Sequence, residues 1–367
     1  MKILEIVLSL SSGGAERFVV DLCNEMSKTE DVTLLSLKKL DDDTNGFYLH
    51  EISNRIKVKS LDFEDGFHIS YPLKVWRRVH KENPDVVHIH GACDKYCTMV
   101  MALHKKHTKV FQTIHNDIER SYSHGYHKFQ INILGRLGLM KFITISQTNH
   151  NDFQRLYPNI GGTMIYNGRS SMNKTELIDS VCSEIENLKP NSDTMVLLHV
   201  ARCAEQKNQQ LLMEAFNRWI AEGTNAILLV IGADFDKERG IKLQQMSCKN
   251  IKYLGTRSNI ADYMLCSDAF ILSSKYEGMP ITVIEALMCG LPILSTPTCG
   301  VVDVVRNMEN GLISPDHKVD SFLAMLRQYG QKKEKLKQIT MEDVDKLPFH
   351  IQKCSSEYIK YFKSKGF

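Results

Sequence analysis

The chain has 367 residues, more than one ordinary domain of roughly 100 to 200 residues, and 43% of them are hydrophobic, enough for more than one core. Its 46 basic and 43 acidic residues leave a formal net charge of +3, a balance that excludes a dedicated nucleic-acid binder. Ten cysteines are scattered without repeated pairing, so we expect reduced thiols. No stretch reaches the roughly 18 apolar residues of a membrane span.

The first predicted element is a strand. The N-terminus, MKILEIVLSLSSGGAER, is more typical of a buried strand than of a signal peptide, so we expect a soluble, cytoplasmic protein. Short apolar runs then alternate with helical patterns, as in parallel α/β proteins. The predicted strands are 2–8, 32–37, 86–90, 110–115 and 141–146, followed by 195–200, 226–232, 251–255, 269–274 and 292–296. Two sets of five predict two doubly wound sheets whose carboxyl ends border a ligand-binding cleft.

A polar stretch between the two sets, YNGRSSMNKTELIDS, is typical of a linker. We place the boundary near Gly168, which gives an N-terminal, acceptor-side domain over 1–168 and a C-terminal, donor-binding domain over 169–348. Residues 349–367 are predicted to form an amphipathic helix that returns to the N-terminal domain. Its apolar positions include Ile351, Tyr358 and Phe362.

The nearest approach to a metal-binding pattern is the group His88, His90, Cys93 and Cys97. A strand end that runs into a helix explains this spacing better than a zinc site does. We therefore expect no metal site.

The most informative segment is LCSDAFILSSKYEGMPITVIEALMCGLPILST (265–296), in which a buried strand, a loop and a helix follow one another. The helix is predicted to begin near Pro280, because proline after glycine is a normal helix start. The amides of Gly278, Met279 and Ile281 would then be free at the helix N-terminus, whereas Pro280 has no amide. Such a helix start is suited to bind a diphosphate.

Two glutamates flank this helix start. If Glu277 and Glu285 both lie near the helix, they are about two turns apart on roughly one face. An ionised carboxylate has two acceptor oxygens and suits vicinal hydroxyls, so one could bind the sugar and the other the ribose of a nucleotide sugar. Two solvated glutamates on a surface helix are the alternative. That alternative does not explain why Glu285 lies in an apolar run, where a lone carboxylate is costly.

A glutamate, Gly-x-Pro and a second glutamate followed by alanine resemble the signature of glycosyltransferase family 4. The resemblance covers most of the chain. It implies the GT-B fold, with two Rossmann-like domains facing across a central cleft. It also implies transfer of a sugar from a nucleotide donor with retention of anomeric configuration, without a metal or other cofactor.

The segment HVARCAEQKNQQLLMEAF (199–216) resembles the family's strand, loop and helix that supply cations to the donor diphosphate. The resemblance gives these roles to Arg202 and Lys207. Two cations after a buried strand would also neutralise a leaving diphosphate by their chemistry alone. Two solvated loop cations are the alternative. Ala201 and Asn208 stand where the family has glycine, so we expect a differently shaped loop.

Three further assignments come from the resemblance. The main chain near Thr256 and Arg257 matches the stretch that cradles the base. Gly13 and Gly14 match the first loop, which faces the donor phosphates and the acceptor, and their spacing does not support NAD binding. His115 ends the fourth predicted strand, and a histidine at the matching place contacts the donor sugar near the reacting carbon. A satisfied structural histidine is the competing interpretation.

The resemblance assigns Glu277 to sugar hydroxyls rather than to attack on the anomeric carbon. We therefore expect an oxocarbenium-like transition state, with Arg202, Lys207 and the helix amides stabilising the departing diphosphate. One diphosphate oxygen would accept the proton of the acceptor. The predicted catalytic residues are His115, Glu277, Arg202 and Lys207.

The resemblance also bears on the acceptor. Family members act in exopolysaccharide, capsule or lipopolysaccharide assembly, which implies a glycan or lipid-linked glycan acceptor and favours a UDP-sugar donor. Segments 127–142 and 73–81 combine basic and apolar residues and could rest on an anionic bilayer, or be core-facing helices with solvated edges. Two alternatives to a transferase stay open. A nucleotide-sugar epimerase would need no acceptor, and a non-catalytic binding protein would turn over nothing.

Overall fold

The computed structural model describes residues 1–41, 45–335, 343–344 and 346–364. The chain divides into two compact units, Met1–Ser170 with Pro348–Phe367, and Ser171–Leu347. Each unit is an α/β domain built on one parallel sheet.

The sheet of the first unit has seven strands. They are β1 (Lys2–Val7), β2 (Asp31–Lys38), β3 (Lys57–Phe63), β4 (Val86–His90), β5 (Lys109–Ile114), β6 (Lys141–Thr144) and β7 (Gly162–Met164). Their order is β3-β2-β1-β4-β5-β6-β7, and all neighbours are parallel. Because the order reverses between β1 and β4, the carboxyl ends of these two strands form the topological switch point, where ligands bind in such sheets.

Helices connect the strands of the first unit. They are α1 (Gly14–Met26), α2 (Tyr71–Glu82), α3 (Thr98–Leu103), α4 (Ile118–Tyr122), α5 (Gly125–Arg136) and α6 (Gln147–Leu156), with 3-10 turns at Leu49–Glu51 and Gly91–Tyr96. Helix α1 buries Phe18, Leu22 and Met26, which recur at the spacing of one helical face. Helix α2 ends at Asn83, whose left-handed conformation (φ 50°) stops the helix.

The second unit repeats this plan with six strands. They are β8 (Met195–Val200), β9 (Ala226–Ile231), β10 (Ile251–Gly255), β11 (Ala269–Leu272), β12 (Ile293–Ser295) and β13 (Gly311–Ile313). Their order is β10-β9-β8-β11-β12-β13, again with all neighbours parallel. The switch point of this sheet lies between β8 and β11.

The helices of the second unit follow the same alternation. They are α7 (Ile178–Leu188), α8 (Gln209–Ala221), α9 (Glu238–Met246), α10 (Ile260–Leu265), α11 (Ile281–Met288), α12 (Val301–Val304) and α13 (Val319–Lys332), with 3-10 turns at Glu205–Lys207 and Lys333–Lys335. Across the described residues, no helix is long and apolar enough to span a membrane.

All ten predicted strands are present, and their apolar residues form the two cores. Three strands, β3, β7 and β13, were not predicted. Strand β3 is half exposed along most of its length, and β7 and β13 have three residues each. Neither kind of strand produces a continuous apolar run, which is the signal that identified the others.

The last helix, α14 (Ile351–Lys363), packs on α1 of the first unit. The amide of Arg169 donates to the carbonyl of Phe349 at 2.7 Å, which pairs the two segments of this unit. Gly168 lies directly against the helix, because a Cβ there would be 2.7 Å from Cβ of Cys354 and 2.9 Å from Cα of Ile351. The three apolar residues predicted to mark this helix are all buried.

The cysteines correct one expectation. Cys182 and Cys266 form a disulfide between α7 and the end of α10, with their Cα atoms 5.8 Å apart. The expectation of uniformly reduced thiols was therefore wrong for this pair. The two residues are 84 positions apart in the chain, so only the packing of the two helices brings them together.

Candidate active site

The predicted donor-binding residues lie at the switch point of the second sheet. Arg202 follows β8 and Ser273 follows β11, and these two strands are neighbours. Residues after the carboxyl ends of adjacent parallel strands meet at one edge of a sheet. The fold therefore brings the loop at 201–208 and the loop at 273–280 side by side.

A buried ion pair joins these two loops. Nζ of Lys207 lies 2.6 Å from Oε1 of Glu277, which is only 6% exposed. The hydroxyl of Ser274 donates to the same oxygen at 2.6 Å, and Nε2 of Gln206 donates to Oε2 at 3.3 Å. The carboxylate is thus held by one cation and two neutral donors. The structure places a predicted phosphate cation in direct contact with the predicted sugar-binding carboxylate.

Further hydrogen bonds fix the two loops against each other. The hydroxyl of Ser273 donates to the carbonyl of Lys207 at 2.8 Å, and the amide of Lys275 donates to the carbonyl of Gln206 at 2.8 Å. Asn208 adopts a left-handed conformation (φ 49°), which asparagine tolerates better than most residues other than glycine. Asn208 thus adopts a conformation that glycine also favours, at the position where the family has glycine.

Arg202 contrasts with Lys207. Its side chain is exposed, and within the described residues its guanidinium makes no ion pair or hydrogen bond. Its carbonyl accepts a hydrogen bond from Nε2 of Gln209 at 2.9 Å, so the backbone is fixed while the charged group is free. A fixed backbone with a free guanidinium is suited to bind an oxyanion.

The helix start predicted at Pro280 is present. Pro280 is the N-cap of α11, with extended backbone angles, and its carbonyl accepts from the amide of Val283 at 3.1 Å. Among the hydrogen bonds of the described residues, the amides of Gly278, Met279 and Ile281 donate to no protein group. Three amides at a helix N-terminus can bind an anion.

Gly300 packs against the loop at 273–280. Its backbone is in the left-handed half of conformational space (φ 28°), and a Cβ there would lie 2.4 Å from the carbonyl oxygen of Gly278 and 2.7 Å from Cα of Met279. Only glycine allows the backbone of this turn to approach the loop so closely.

The two glutamates do not share a helix face. Glu277 lies before α11, whereas Glu285 lies within it. The prediction of a common face two turns apart is therefore wrong, because the helix begins only at Ile281. Both carboxylates are nevertheless buried, Glu285 between the fully buried Ile284 and Ala286. The alternative of two solvated surface glutamates is excluded.

Thr256 and Arg257 follow β10, at the same edge of the sheet. Nε of Arg257 donates to the hydroxyl of Tyr263 at 2.9 Å, and the guanidinium lies 3.6 Å from Glu184. The hydrogen bond to Tyr263 raises the pKa of Arg257. The side chain of Arg257 thus contacts residues of α7 and α10. The main chain of this segment is the part available to a ligand.

The remaining predicted residues lie in the first unit. Gly13 is the N-cap of α1 and Gly14 is its first residue, directly after the loop that follows β1. His115 directly follows β5. These residues and the predicted donor-binding residues of the second unit therefore belong to different domains.

His115 is nine-tenths buried and contacts a second histidine. Its Nε2 lies 3.0 Å from Nδ1 of His90, whose Nε2 lies 2.6 Å from Oε2 of Glu5. Burial, reinforced by His90 and His88, lowers the pKa of His115 well below its usual value. Its imidazole is therefore neutral at physiological pH.

Glu5 is the centre of this cluster. It is fully buried in β1, in register with His88 on β4, and Nδ1 of His88 lies 2.8 Å from the same Oε2. Burial raises the pKa of Glu5, but attraction and hydrogen bonding to His88 and His90 outweigh it and lower the pKa to about 2. Ligand atoms of these three residues lie within 4.8 Å of one another, close enough to surround a metal ion.

The cysteines of the rejected zinc pattern do not join this cluster. Cys93 and Cys97 lie in the apolar core of the first unit, and burial raises the pKa of both thiols. The segment is a strand that runs into a 3-10 helix, as the sequence indicated.

Four residues in the contacts of His115 and Glu277 were not predicted as site residues. They are Glu5 and His90 in the first unit, and Gln206 and Ser274 in the second. Glu5 carried a signal, because a glutamate in the middle of the apolar run KILEIV must be buried and therefore needs partners. Gln206 and Ser274 carried none, since polar residues in loops are usually solvated.

Two family models match the chain. Glycosyltransferase Family 4 matches residues 12–170, and Glycosyl transferases group 1 matches residues 183–342. An uncharacterized glycosyltransferase of Methanocaldococcus jannaschii is 29% identical over 259 residues, which are 62% of this chain and 60% of that protein. The chain thus spans less than two thirds of this relative's length.

Two further proteins are similar to the chain. The UDP-Gal:α-D-GlcNAc-diphosphoundecaprenol α-1,3-galactosyltransferase of Escherichia coli is 29% identical over 163 residues, 42% of this chain and 40% of that protein. The crystal structure of Anabaena Alr3699/HepE in complex with UDP and glucose matches with a TM-score of 0.79 at 17% identity, over 99% of this chain and 100% of that chain.

The structural match establishes that the two α/β domains are those of the GT-B fold. Both family models describe glycosyltransferases, and the names of several relatives are those of glycosyltransferases of polysaccharide or glycan biosynthesis. The resemblance first drawn from the Glu277 to Glu285 segment is confirmed. The chain belongs to the family 4-type glycosyltransferases.

Proposed function

We propose that the chain transfers a hexosyl group from a UDP-sugar to a glycan or lipid-linked glycan acceptor, with retention of anomeric configuration. The observation that carries the proposal is the site at the edge of the second sheet. There, the exposed guanidinium of Arg202 and the unpaired amides of Gly278, Met279 and Ile281 offer positive charge, and the buried Glu277 offers acceptors. UDP appears in the name of the Escherichia coli relative and in the Anabaena complex.

Each group has a role in this proposal. Arg202, Lys207 and the helix amides bind the diphosphate. Glu277 and Glu285 accept hydrogen bonds from hydroxyls, because buried carboxylates are strong acceptors. The remaining roles follow the resemblance: main-chain groups of Thr256 and Arg257 face the base, Gly13 and Gly14 face the phosphates and the acceptor, and His115 contacts the donor sugar.

The contacts of Glu277 argue against a covalent intermediate. One of its carboxylate oxygens already accepts from Lys207 and Ser274, and Gln206 holds the other. Hydrogen bonds to a carboxylate stabilise its charge and weaken it as a nucleophile. We therefore favour attack by the acceptor on the same face that the diphosphate leaves.

In this mechanism the bond between the anomeric carbon and the diphosphate breaks as the acceptor oxygen bonds to that carbon. The proton of the acceptor hydroxyl passes to a diphosphate oxygen. The cations and helix amides stabilise the charge that develops on the leaving group, so we propose that no metal ion is required. An assay in excess chelator tests this point, and loss of turnover that Mg²⁺ or Mn²⁺ restores would contradict it.

The donor is tested first by binding. Thermal unfolding is measured with a panel of UDP-, GDP- and ADP-sugars, because a ligand that binds only the native state raises its stability. We expect UDP-sugars to raise the midpoint most. A flat response across the panel would contradict the proposal.

Turnover then separates the alternatives. A transferase consumes the stabilising donor only with a glycan or lipid-linked acceptor, and NMR of the product should show the donor's anomeric configuration. Conversion of the donor to another nucleotide sugar without acceptor would identify an epimerase. Binding without conversion, with any acceptor offered, would identify a non-catalytic protein.

We also propose that helix α5 contacts the surface of an anionic membrane. The exposed apolar residues of α5, with that of its C-cap, recur at the spacing of one helical face, and the basic residues beside them are exposed too. The apolar residues are Tyr126, Phe129, Ile133 and Leu137, and the basic ones are Lys128 and Arg136. By contrast, Trp76 in the segment 73–81 packs on the core, and its indole donates to the carbonyl of Leu103.

Flotation with vesicles of phosphatidylcholine and phosphatidylglycerol tests this surface. The double variant Phe129→Ser, Leu137→Ser should lose most binding, because both side chains are about two-thirds exposed and contribute little to the fold. Leu177→Ser, an exposed leucine of the second unit, is the matched control. Absence of binding by the unaltered protein would contradict the proposal.

A further inference from the structure

A chain of buried polar contacts leads from Glu5 to His115. It crosses the switch point of the first sheet, from β1 through β4 to the end of β5. The contacts are 2.6 Å from Oε2 of Glu5 to Nε2 of His90, and 3.0 Å from Nδ1 of His90 to Nε2 of His115. All three side chains are at least nine-tenths buried.

The direction of these hydrogen bonds follows from Glu5. An ionised carboxylate can only accept, so Nε2 of His90 must carry the proton. A neutral His90 then has a lone pair on Nδ1, which can only accept from Nε2 of His115. The proton of a neutral His115 is therefore on Nε2, and its lone pair is on Nδ1. This Nδ1 is buried and has no hydrogen-bond partner among the described residues.

We propose that Glu5 and His90 are positioning residues that hold His115 as the neutral Nε2–H tautomer, with the Nδ1 lone pair left to accept a hydrogen bond from a substrate hydroxyl. The inference rests on the proposed function, in which His115 contacts the donor sugar. It adds the protonation state of that histidine and the residues that set it. Neither Glu5 nor His90 has to touch the substrate.

The surroundings support a single arrangement. Phe18 packs edge-on against both His90 and His115, with its ring centroid 6.4 Å from that of His90 and 5.7 Å from that of His115. Burial and His88 lower the pKa of His90 to about 4, in spite of Glu5. Cys23 on α1 and Tyr358 on α14 also interact with Glu5, and burial raises the pKa of both side chains. Near neutral pH, Glu5 therefore stays ionised, and His90 and His115 stay neutral.

A second set of close contacts runs from the same carboxylate through His88. Nδ1 of His88 lies 2.8 Å from Oε2 of Glu5, and Nε2 of His88 lies 2.7 Å from the hydroxyl of Thr113. That hydroxyl lies 3.1 Å from the hydroxyl of Tyr358 on the C-terminal helix α14. The position of Glu5, and through it the orientation of His115, thus depends on a helix from the far end of the chain.

A metal ion bound by Glu5, His88 and His90 would be incompatible with the hydrogen bonds from Glu5 through His90 to His115. Nε2 of His90 cannot donate a proton to Glu5 and also coordinate a metal, because both uses need the same lone-pair position. Elemental analysis of the purified chain should therefore find much less than one equivalent of zinc or another transition metal. One tightly bound equivalent that is lost in Glu5→Met would overturn the proposal.

The tautomer is measured directly. Long-range ¹H–¹⁵N spectra of the full chain labelled with ¹⁵N-histidine distinguish protonated from unprotonated ring nitrogens, and His115→Gln identifies the signals of His115. We expect Nε2 of His115 to be protonated and Nδ1 unprotonated from pH 6 to pH 9. The opposite tautomer, or a mixture of tautomers, in the unaltered protein would overturn the proposal, whatever its activity.

Two variants at Glu5 connect the tautomer to turnover. Glu5→Met removes the acceptor and should give His115 mixed tautomers, lowering kcat about 10- to 100-fold with little change in the donor KM. Glu5→Gln keeps a carbonyl oxygen that can accept a hydrogen bond from His90, so its kcat should be at least about tenfold higher than that of Glu5→Met. If Glu5→Met does not fold, His90→Phe breaks the chain at the next link while keeping an aromatic ring. A purely structural role would lower the unfolding midpoint of these variants without changing the tautomer.

The outcomes separate this inference from the proposed function. If His115→Gln retains turnover, the assigned role of His115 is wrong, yet the tautomer spectra still decide whether Glu5 and His90 set its protonation. If His115→Gln abolishes turnover but Glu5→Met leaves the tautomer of His115 unchanged, the proposed function stands and the positioning role of Glu5 and His90 is wrong.

Discussion

Nζ of Lys207 lies 2.6 Å from Oε1 of Glu277, so that a group expected to bind phosphate and a group expected to bind sugar form an ion pair with each other. The pair also joins the two loops that form the proposed donor site. A bound nucleotide sugar would meet a lysine whose position is already fixed. Such preorganisation lowers the cost of stabilising charge on a leaving diphosphate.

Removing this cation should affect turnover far more than stability. In Lys207→Ala we expect kcat to fall about 10²- to 10³-fold, as for other lost electrostatic contacts to a leaving group, while Ser274 and Gln206 still hold Glu277. The matched control is Lys275→Ala, whose lysine pairs with the exposed Glu205 and should change little. Steady-state kinetics with circular dichroism checks both, and near-normal turnover of Lys207→Ala would refute its role.

Gly300 should control the shape of the donor loop. A Cβ at this position would lie 2.4 Å from the carbonyl oxygen of Gly278, so Gly300→Ala must displace the loop or the turn. We expect donor affinity to weaken by about tenfold or more, because small displacements of a binding loop are costly. Val302→Ala, at an exposed position of the short helix α12 that follows Gly300, is the control. Equal affinity of the two variants, measured by calorimetry, would contradict this prediction.

Gly168 should determine how the C-terminal helix docks. In Gly168→Ala the added Cβ would be 2.9 Å from the backbone Cα of Ile351, which cannot move without shifting α14. We expect a loss of about 1 to 3 kcal/mol in the free energy of unfolding, typical of overpacking. At Gly161 a Cβ would meet nothing within 4 Å, so Gly161→Ala is a close control that should be neutral. Urea titration of both variants decides the matter.

Asp21 should make the first unit sensitive to acid. It is buried between Arg17 and Arg169, whose nitrogens lie 2.7 and 2.6 Å from its oxygens. Burial raises the pKa of Asp21, but the charges of Arg169 and Arg17 outweigh it and lower the pKa below the usual 3.8. The stabilisation is therefore complete above about pH 4 and is lost as the pH falls through the lowered folded-state pKa.

Asp21→Asn should lose about 3 kcal/mol of stability at pH 7, because two arginines lose a buried partner, and should show a flatter dependence on pH below 4. Asp65→Asn, in an exposed pair with Lys38, serves as the control and should behave like the unaltered protein. Urea midpoints measured from pH 7 to pH 3 test the sign. A steeper acid dependence in Asp21→Asn than in the unaltered chain would show that the pKa shift runs the other way.

Much of the fold was predictable from sequence because strands in parallel sheets are buried on both faces and appear as continuous apolar runs. The ten strands predicted in this way are present. The half-exposed β3 and the three-residue β7 and β13 were not predictable, since edge position and short length remove that signal. The helix start at Pro280 was also local information, carried by proline and the glycine before it.

By itself, the sequence determined the α/β class, the division near Gly168, and the segment that carries Glu277, Gly278 and Pro280, because each depends on neighbouring residues. Tertiary structure decided which groups touch. Lys207 and Glu277 are 70 residues apart, and Glu5 and His90 are 85 apart, yet each pair lies within hydrogen-bond distance. Strand order sets such pairs, and strand order depends on how helices pack across a sheet rather than on any local pattern.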